Sequence, residues 1–248
     1  MFSPFGFMET QVALIPFTPA DITTTFWLDA NDGSTLALSG TDVTSWTDKS
    51  GNNIVFTTSG GTVTYSATSM NGMPGLSWPG TTNSSKMKAG TSFSLIEYIC
   101  MVTYDDGVQA TWRGSYQGLI TGPANINNDV ITIGETSGFN VLYNGSLFGD
   151  GYKNGGSDTN YLTNVVLPLN ASILDLYDTS IISTTFQLGM DRTNSSRGWF
   201  GTMAEFIGTD TRWDTTTRQK LEGYLAWKWG VVGNLPAIHP YKNYPPSA

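Results

Sequence analysis

The residues able to do chemistry are few, and their spacing limits what they can do. Five glutamates are present, Glu9, Glu97, Glu135, Glu205 and Glu222, and none has a second carboxylate two or four positions away. Glycan hydrolysis built on one β-strand needs an acid and a nucleophile on the same face, which period-two geometry supplies. Asp175 and Asp178 are an odd number of residues apart and fall on opposite faces of a regular strand, while Asp105-Asp106 precede Gly107 as a turn. The only histidine, His239, stands between Ile238 and Pro240 in a Pro-rich tail, and no Gly-x-Ser-x-Gly elbow is present. Nucleophilic catalysis therefore lacks its base, and His239 is expected to be a packed tail residue. The only cysteine, Cys100, lies in the apolar run 95–102 and reads as inert core. One histidine and one cysteine cannot build a zinc-type centre. The expectation is a protein that is not an enzyme.

Oxygen ligands are more plentiful. The stretches 29–34 and 150–158 offer Asp29, Asp32, Asp150 and Asp158 as calcium candidates. Neither stretch carries the twelve-residue EF-hand pattern with its terminal glutamate, and the simpler role for Asp29 and Asp32 is in Asx turns closing the first strand. No cofactor is expected, with calcium the one ion left open. Trp112, Tyr116, Tyr143 and Tyr152 fall in predicted loops or strand ends, where a sugar-binding protein presents flat rings, but no particular residue is singled out as a glycan contact.

These residues must be positioned by strands. Of 248 residues only 13% are charged, whereas 28 are glycine and 12% aromatic, a balance suited to many short strands and turns. Apolar and β-branched runs at 12–17, 24–28, 54–58, 63–66, 93–104, 130–134, 139–143, 165–177, 184–190 and 199–207 read as strands. Between them lie Asp32-Gly33, Asn71-Gly72, Asp106-Gly107, Asn144-Gly145 and Asp150-Gly151, which tolerate the positive φ of tight hairpins. One segment differs: Asp214 can cap a helix over 215–229, Arg218 and Glu222 pair at i, i+4, Leu221, Tyr224, Leu225 and Lys228 share a face, and Gly230 suits the C′ position. The pattern predicts an all-β antiparallel sandwich with one C-terminal amphipathic helix. It divides as an apolar N-terminal arm (1–25), one domain (26–241) and a Pro-rich tail (242–248).

Charge narrows the partners. Twelve basic against twenty acidic residues leave a net charge of −8, which repels phosphate backbones and anionic membranes. No apolar run approaches the roughly 18 residues of a membrane span. No lysine or arginine precedes Lys49, so no secretory signal is expected and folding is assigned to the cytoplasm.

At the front of the domain stand Trp27-Leu28-Asp29-Ala30-Asn31-Asp32-Gly33-Ser34-Thr35, then Trp46-Thr47-Asp48-Lys49-Ser50-Gly51, then Asn71-Gly72-Met73-Pro74. At the back stand Phe200-Gly201-Thr202-Met203-Ala204-Glu205, the run 218–230 ending Ala226-Trp227-Lys228-Trp229-Gly230, and His239-Pro240-Tyr241. With these motifs residues 26–241 resemble the laminin-G-like, concanavalin-A-like domains of tailed-bacteriophage structural proteins and bacterial surface proteins. The resemblance implies a two-sheet jelly roll whose first and last strands meet, bringing Trp27 near Phe200. It also implies a virion structural protein, a capsid decoration or cement subunit or a head or tail appendage, assembled in the host cytoplasm and bound to the major capsid protein or appendage proteins. Homo-oligomer formation stays open. The alternative it offers is a carbohydrate-binding receptor module of a tail fibre or surface protein. Phe2, Phe5 and Phe7, with no charge before Glu9, are the expected partner-binding residues of the arm.

Overall fold

The computed structural model describes residues 15–80, 85–104, 117–122, 130–133, 142–144, 150–156, 168–191 and 197–248. Its strands, in chain order, begin with β1 (Phe26–Asp29), β2 (Leu36–Ser39), β3 (Asp42–Thr47), β4 (Val55–Gly60), β5 (Thr64–Met70), β6 (Met73–Pro79), β7 (Lys86–Ala89) and β8 (Phe93–Tyr104). They continue with β9 (Gln117–Thr121), β10 (Val130–Ile133), β11 (Leu142–Asn144), β12 (Asp150–Lys153), β13 (Leu169–Thr184), β14 (Gln187–Leu188) and β15 (Phe200–Thr209). The helix α1 spans Thr215–Lys228. No helix among the described residues is long and apolar enough to cross a membrane.

The fold is all-β, a curled antiparallel sheet carrying one helix. Strands run in the order β11-β10-β9-β14-β7-β4-β3-β5-β6-β15-β8-β13-β12, with β1 added on β15 and β2 on β3. The curl encloses the main core. Phe26 of β1 and Phe56 of β4 lie far apart in strand order, yet their ring centroids are 6.1 Å apart, and Phe93 of β8 touches both. Trp46, Trp78 and Trp199 fill the same core, fully buried. A second core lies on the outer face of β1, β15, β8 and β13, where Trp27, Ile99, Met101, Ile173, Ala204 and Ile207 meet Leu221, Leu225, Ala226 and Trp229 from α1 and its C-cap.

Two bulges decide what that outer face presents. Phe93 and Leu95 of β8 point into the main core, so strict alternation would send Glu97 there too. The β8–β13 register shifts between Leu95↔Ile182 and Glu97↔Tyr177, and beyond the shift Tyr98, Cys100 and Val102 point inward while Ile99 and Met101 point outward. Glu97 thereby joins the outer face. On β15 the register shifts between Met203↔Val102 and Glu205↔Met101. Such a bulge re-aims a side chain, and here it turns Glu205 towards α1 beside Ala204.

The helix forms where its local signals place it. Asp214 Oδ1 accepts the Thr217 N–H at 2.7 Å, Arg218 pairs with Glu222 at 2.6 Å, and Gly230 has φ +68 after the Trp229 C-cap. The Asn71-Gly72 turn also forms as expected, both residues at positive φ between β5 and β6. Asp150-Gly151 is a correction: the pair lies inside β12, and the positive φ angles fall at Asn154 and Gly155, just past the last ladder pair Lys153↔Leu174. Asp32-Gly33 opens a 3-10 turn rather than a hairpin, because Asp32 caps it through the Ser34 N–H. Asp105-Asp106-Gly107 and Gly145 lie outside the described residues.

The first and last strands of the domain do meet: β1 pairs antiparallel with β15. Their register corrects the expected neighbour. Trp27 stands opposite Ile207, not Phe200, which pairs with Pro79 of β6 instead. Residues 15–25 and the tail also pack on the domain. Phe17 is buried edge-on against Tyr224, its N–H bonds to the Pro246 carbonyl, and Pro16 bridges Ser247. Lys242 Nζ donates to the carbonyls of Val232, Gly233 and Leu235, fastening the tail to the turn after α1.

Candidate functional site

The chemistry-bearing residues converge under α1, on the outer face of the sheet, in two adjoining centres. The first is built on Glu205. Its Oε1 accepts from the Trp27 indole N–H at 2.7 Å and the Tyr224 hydroxyl at 2.9 Å. Its Oε2 accepts from Lys228 Nζ and the Trp229 indole N–H, each at 2.7 Å. Four donors match the four lone-pair sites of one carboxylate, so a fully buried charge is completely satisfied. Burial is the largest influence on its carboxyl and pushes the pKa up, while Lys228 pulls against it.

Asp29, directly opposite Glu205 in the β1–β15 ladder, extends this centre. Its Oδ1 lies 2.8 Å from Lys228 Nζ and its Oδ2 3.1 Å from Lys49 Nζ. Lys49 reaches on to Asp32 Oδ2 at 2.9 Å and lies 4.3 Å above the Trp27 ring. The Asp32 carboxyl is pushed down to about 2 by the Ser34 hydroxyl and Lys49. Both aspartates make the turns foreseen for them, Asp29 through the Asn31 N–H and Asp32 through the Ser34 N–H. The ammonium of Lys49 bridges two of the four carboxylates offered as calcium ligands, Asp29 and Asp32. Asp48 completes the frame by accepting the Trp27 and Ser50 N–H groups.

The second centre gathers the carboxylates that no single strand could bring together. Glu97 on β8 and Asp175 on β13 are diagonal neighbours and hydrogen-bond to each other, and Glu222 enters from α1. All three are fully buried. Arg212 covers Glu97 at 3.7 Å while stacking 3.4 Å over the Tyr177 ring, and the Trp213 N–H donates to Glu97 at 2.8 Å. Arg218 salt-bridges Glu222 and lies 3.7 Å over the Tyr152 ring. His239 Nδ1 accepts the Tyr241 N–H, so in the neutral ring Nε2 carries the proton and donates it to Glu222 Oε2 at 3.0 Å. Burial raises the carboxyls of Glu97 and Asp175, Asp175 the further of the two, with the charges of Glu97 and Glu222 adding to the shift at Asp175. Two carboxyls held this close disfavour ionisation of both members.

Spacing along one strand missed this cluster because its members come from different strands and a helix. The usable signal was weaker: isolated acidic residues inside apolar runs, Glu97 after Leu95-Ile96 and Asp175 after Ile173-Leu174. His239 is buried in the tail as expected, and Cys100 is a fully buried thiol whose pKa burial pushes up. Tyr152 carries Arg218 on its face, and Tyr143 lies on β11 opposite Thr132. Asp150 lies on β12 opposite Tyr177. Asp158, Trp112, Tyr116 and the arm residues Phe2, Phe5 and Phe7 lie outside the described residues.

A cleft of about 700 Å³ at the C-terminal end of α1 is lined by Asn71, Thr103, Asn170 and Asn234 among others, none of them titratable. Asn71 donates there to the Trp229 and Gly230 carbonyls, and Asn234 to the Ala171 carbonyl. Among the described residues, no group of three or more His, Cys, Asp or Glu side chains is placed to hold a metal ion. The chain matches no family model, no curated protein and no solved structure.

Proposed function

We propose that this chain is a virion structural protein of a tailed bacteriophage, a two-sheet jelly-roll subunit that decorates or cements the capsid or forms part of a head or tail appendage. The observation that carries this reading is the Glu205 centre. Trp27, Asp29 and Lys49 from the front motifs meet Glu205, Tyr224, Lys228 and Trp229 from the back motifs in one buried network. Residues from the front and back motifs thus form one physical unit, and its work is to clamp first strand, last strand and helix together. The facing of β1 and β8 across the core from β4 agrees with two layers of a jelly roll. Fold alone does not decide function, so the assignment also leans on the acidic field and on the apolar arm. Ile15, the first described residue, accepts the Ala248 N–H through its carbonyl, so the arm joins the described fold beside Ala248.

The test is quantitative mass spectrometry of purified phage particles from the source genome. A copy number on the scale of the capsid lattice assigns the protein to the capsid, and one matching tail symmetry assigns it to the tail. Absence from washed particles overturns the proposal.

A further inference from the structure

Lys228 ends α1 with its ammonium held between two buried carboxylates on the paired strands β1 and β15. Nζ lies 2.8 Å from Oδ1 of Asp29 and 2.7 Å from Oε2 of Glu205. Glu205 and Asp29 are nearly closed to solvent, and the indoles of Trp27 and Trp229 with the Tyr224 hydroxyl fix Glu205 from its other sides. A nucleophile, an acyl group and a proton carrier are therefore in contact at one largely buried site. We propose that Lys228 and Asp29 condense into an intramolecular amide, an isopeptide bond that the folded chain forms by itself with Glu205 as proton carrier. The proposal stands apart from the virion reading.

The step balances without any oxidant, reductant or outside reagent. Lys228 starts as an ammonium and Asp29 as a carboxylate. Glu205 Oε2 takes one proton from Nζ and passes it to Oδ1 of Asp29, and the freed amine lone pair attacks Cγ of the now neutral acid. Negative charge then collects on Oδ2, where Lys49 Nζ already donates at 3.1 Å. Glu205 carries a second proton from the attacking nitrogen to Oδ1, which leaves as water while Oδ2 returns to a carbonyl. The products are one amide, one water molecule and a regenerated Glu205 carboxylate.

Three features favour this over an ordinary ion pair. Contact in a fixed geometry replaces a bimolecular encounter, which is the largest advantage an intramolecular reaction has. Burial raises the Glu205 carboxyl, so it accepts a proton from nitrogen more readily than an exposed glutamate does. Burial of Asp29 and partial burial of Lys228 weaken the competing solvation of the two charges. Lys49, the other ammonium on Asp29, has less of the third feature, because its side chain is 23% exposed against 16% for Lys228 and it is shared with the partly exposed Asp32.

The test is the intact mass of the full-length protein, followed by peptide mapping of the same sample. The expected result is a mass one water below that of the sequence, with a branched peptide joining the segment around Asp29 to the segment around Lys228. Lys228→Arg keeps the cation and removes the nucleophile, and should return the full sequence mass. A wild-type protein at full mass, with Asp29 and Lys228 recovered in separate linear peptides, overturns the proposal. So does a missing water that maps to a succinimide at an Asp-Gly pair such as Asp32-Gly33, or one that survives in Lys228→Arg. The branched peptide is read from the wild type, so the test decides even if the variant fails to fold.

Discussion

Glu97 and Asp175 sit two positions out of register on adjacent strands, Glu97 opposite Tyr177 and Asp175 opposite Ile99, and their carboxyl groups are hydrogen-bonded to each other. Two carboxyls can bond only through a proton, and burial raises both members of the pair, Asp175 the further. The pair packs beneath Arg212 and Arg218, which pull against the shift, and beside Glu222, which adds to it.

This pair predicts the sign of a pH dependence. Unfolded carboxyls ionise at about 4, whereas the folded pair holds its proton to higher pH because burial and mutual charge disfavour ionisation. Between those values the native state binds more protons than the unfolded state, so the pair's contribution is complete in acid and is lost as pH rises. Asp175→Asn supplies a permanent N–H donor to Glu97. Urea titrations between pH 5 and 9 should show a flatter stability profile for Asp175→Asn than for the wild type, and parallel profiles would refute the assignment.

Glu205→Ala should be far more damaging than Asp32→Ala. The first strands two indoles, a hydroxyl and an ammonium in a buried site, and breaking such a pair costs roughly 3–5 kcal/mol. The second removes a partly exposed ion-pair partner worth about 0–1 kcal/mol. Denaturant unfolding of the two variants reads the difference directly, and equal losses would contradict the four-donor geometry.

Gly223 should resist the usual improvement. Replacing a helical glycine by alanine gains about 1 kcal/mol in an open helix. Here the added Cβ would stand 2.6 Å from Cβ of Tyr241, and overpacking costs roughly 1–3 kcal/mol. Gly223→Ala is therefore expected to lower stability and to speed proteolysis within 236–248. A higher melting temperature would mean that the tail yields freely.

Removing the arm separates anchoring from folding. Burial of three phenylalanines is worth roughly 1.5–3 kcal/mol each before ordering costs, enough to hold a subunit on a particle. Deleting residues 1–9 should leave the melting temperature nearly unchanged and abolish incorporation into particles. Deleting residues 1–17 should also lower the melting temperature, because it strips Phe17 from Tyr224 and the Pro16–Ser247 bridge from the chain ends. Full incorporation after the shorter deletion would remove Phe2, Phe5 and Phe7 as anchors.

What the amino-acid sequence determined by itself was local. The α1 boundaries follow from Asp214, the Arg218–Glu222 pair and Gly230, all signals acting within one or two turns of helix. The Asn71-Gly72 turn follows from two residues that accept positive φ. The β-rich class follows from composition, and the meeting of first and last strands was implied by the motifs at the two ends of the domain. Only the tertiary structure decided which carboxylates meet. Glu97 and Glu205 reach the outer face through register shifts, and a one-residue shift reverses the face of every residue beyond it. Period-two counting along one strand cannot register such a shift, because it is set by the partner strand and by the packing on both faces. The Glu97–Asp175 pair and the contact of Lys228 with Asp29 and Glu205 therefore exist only once β1, β8, β13, β15 and α1 have closed over one another.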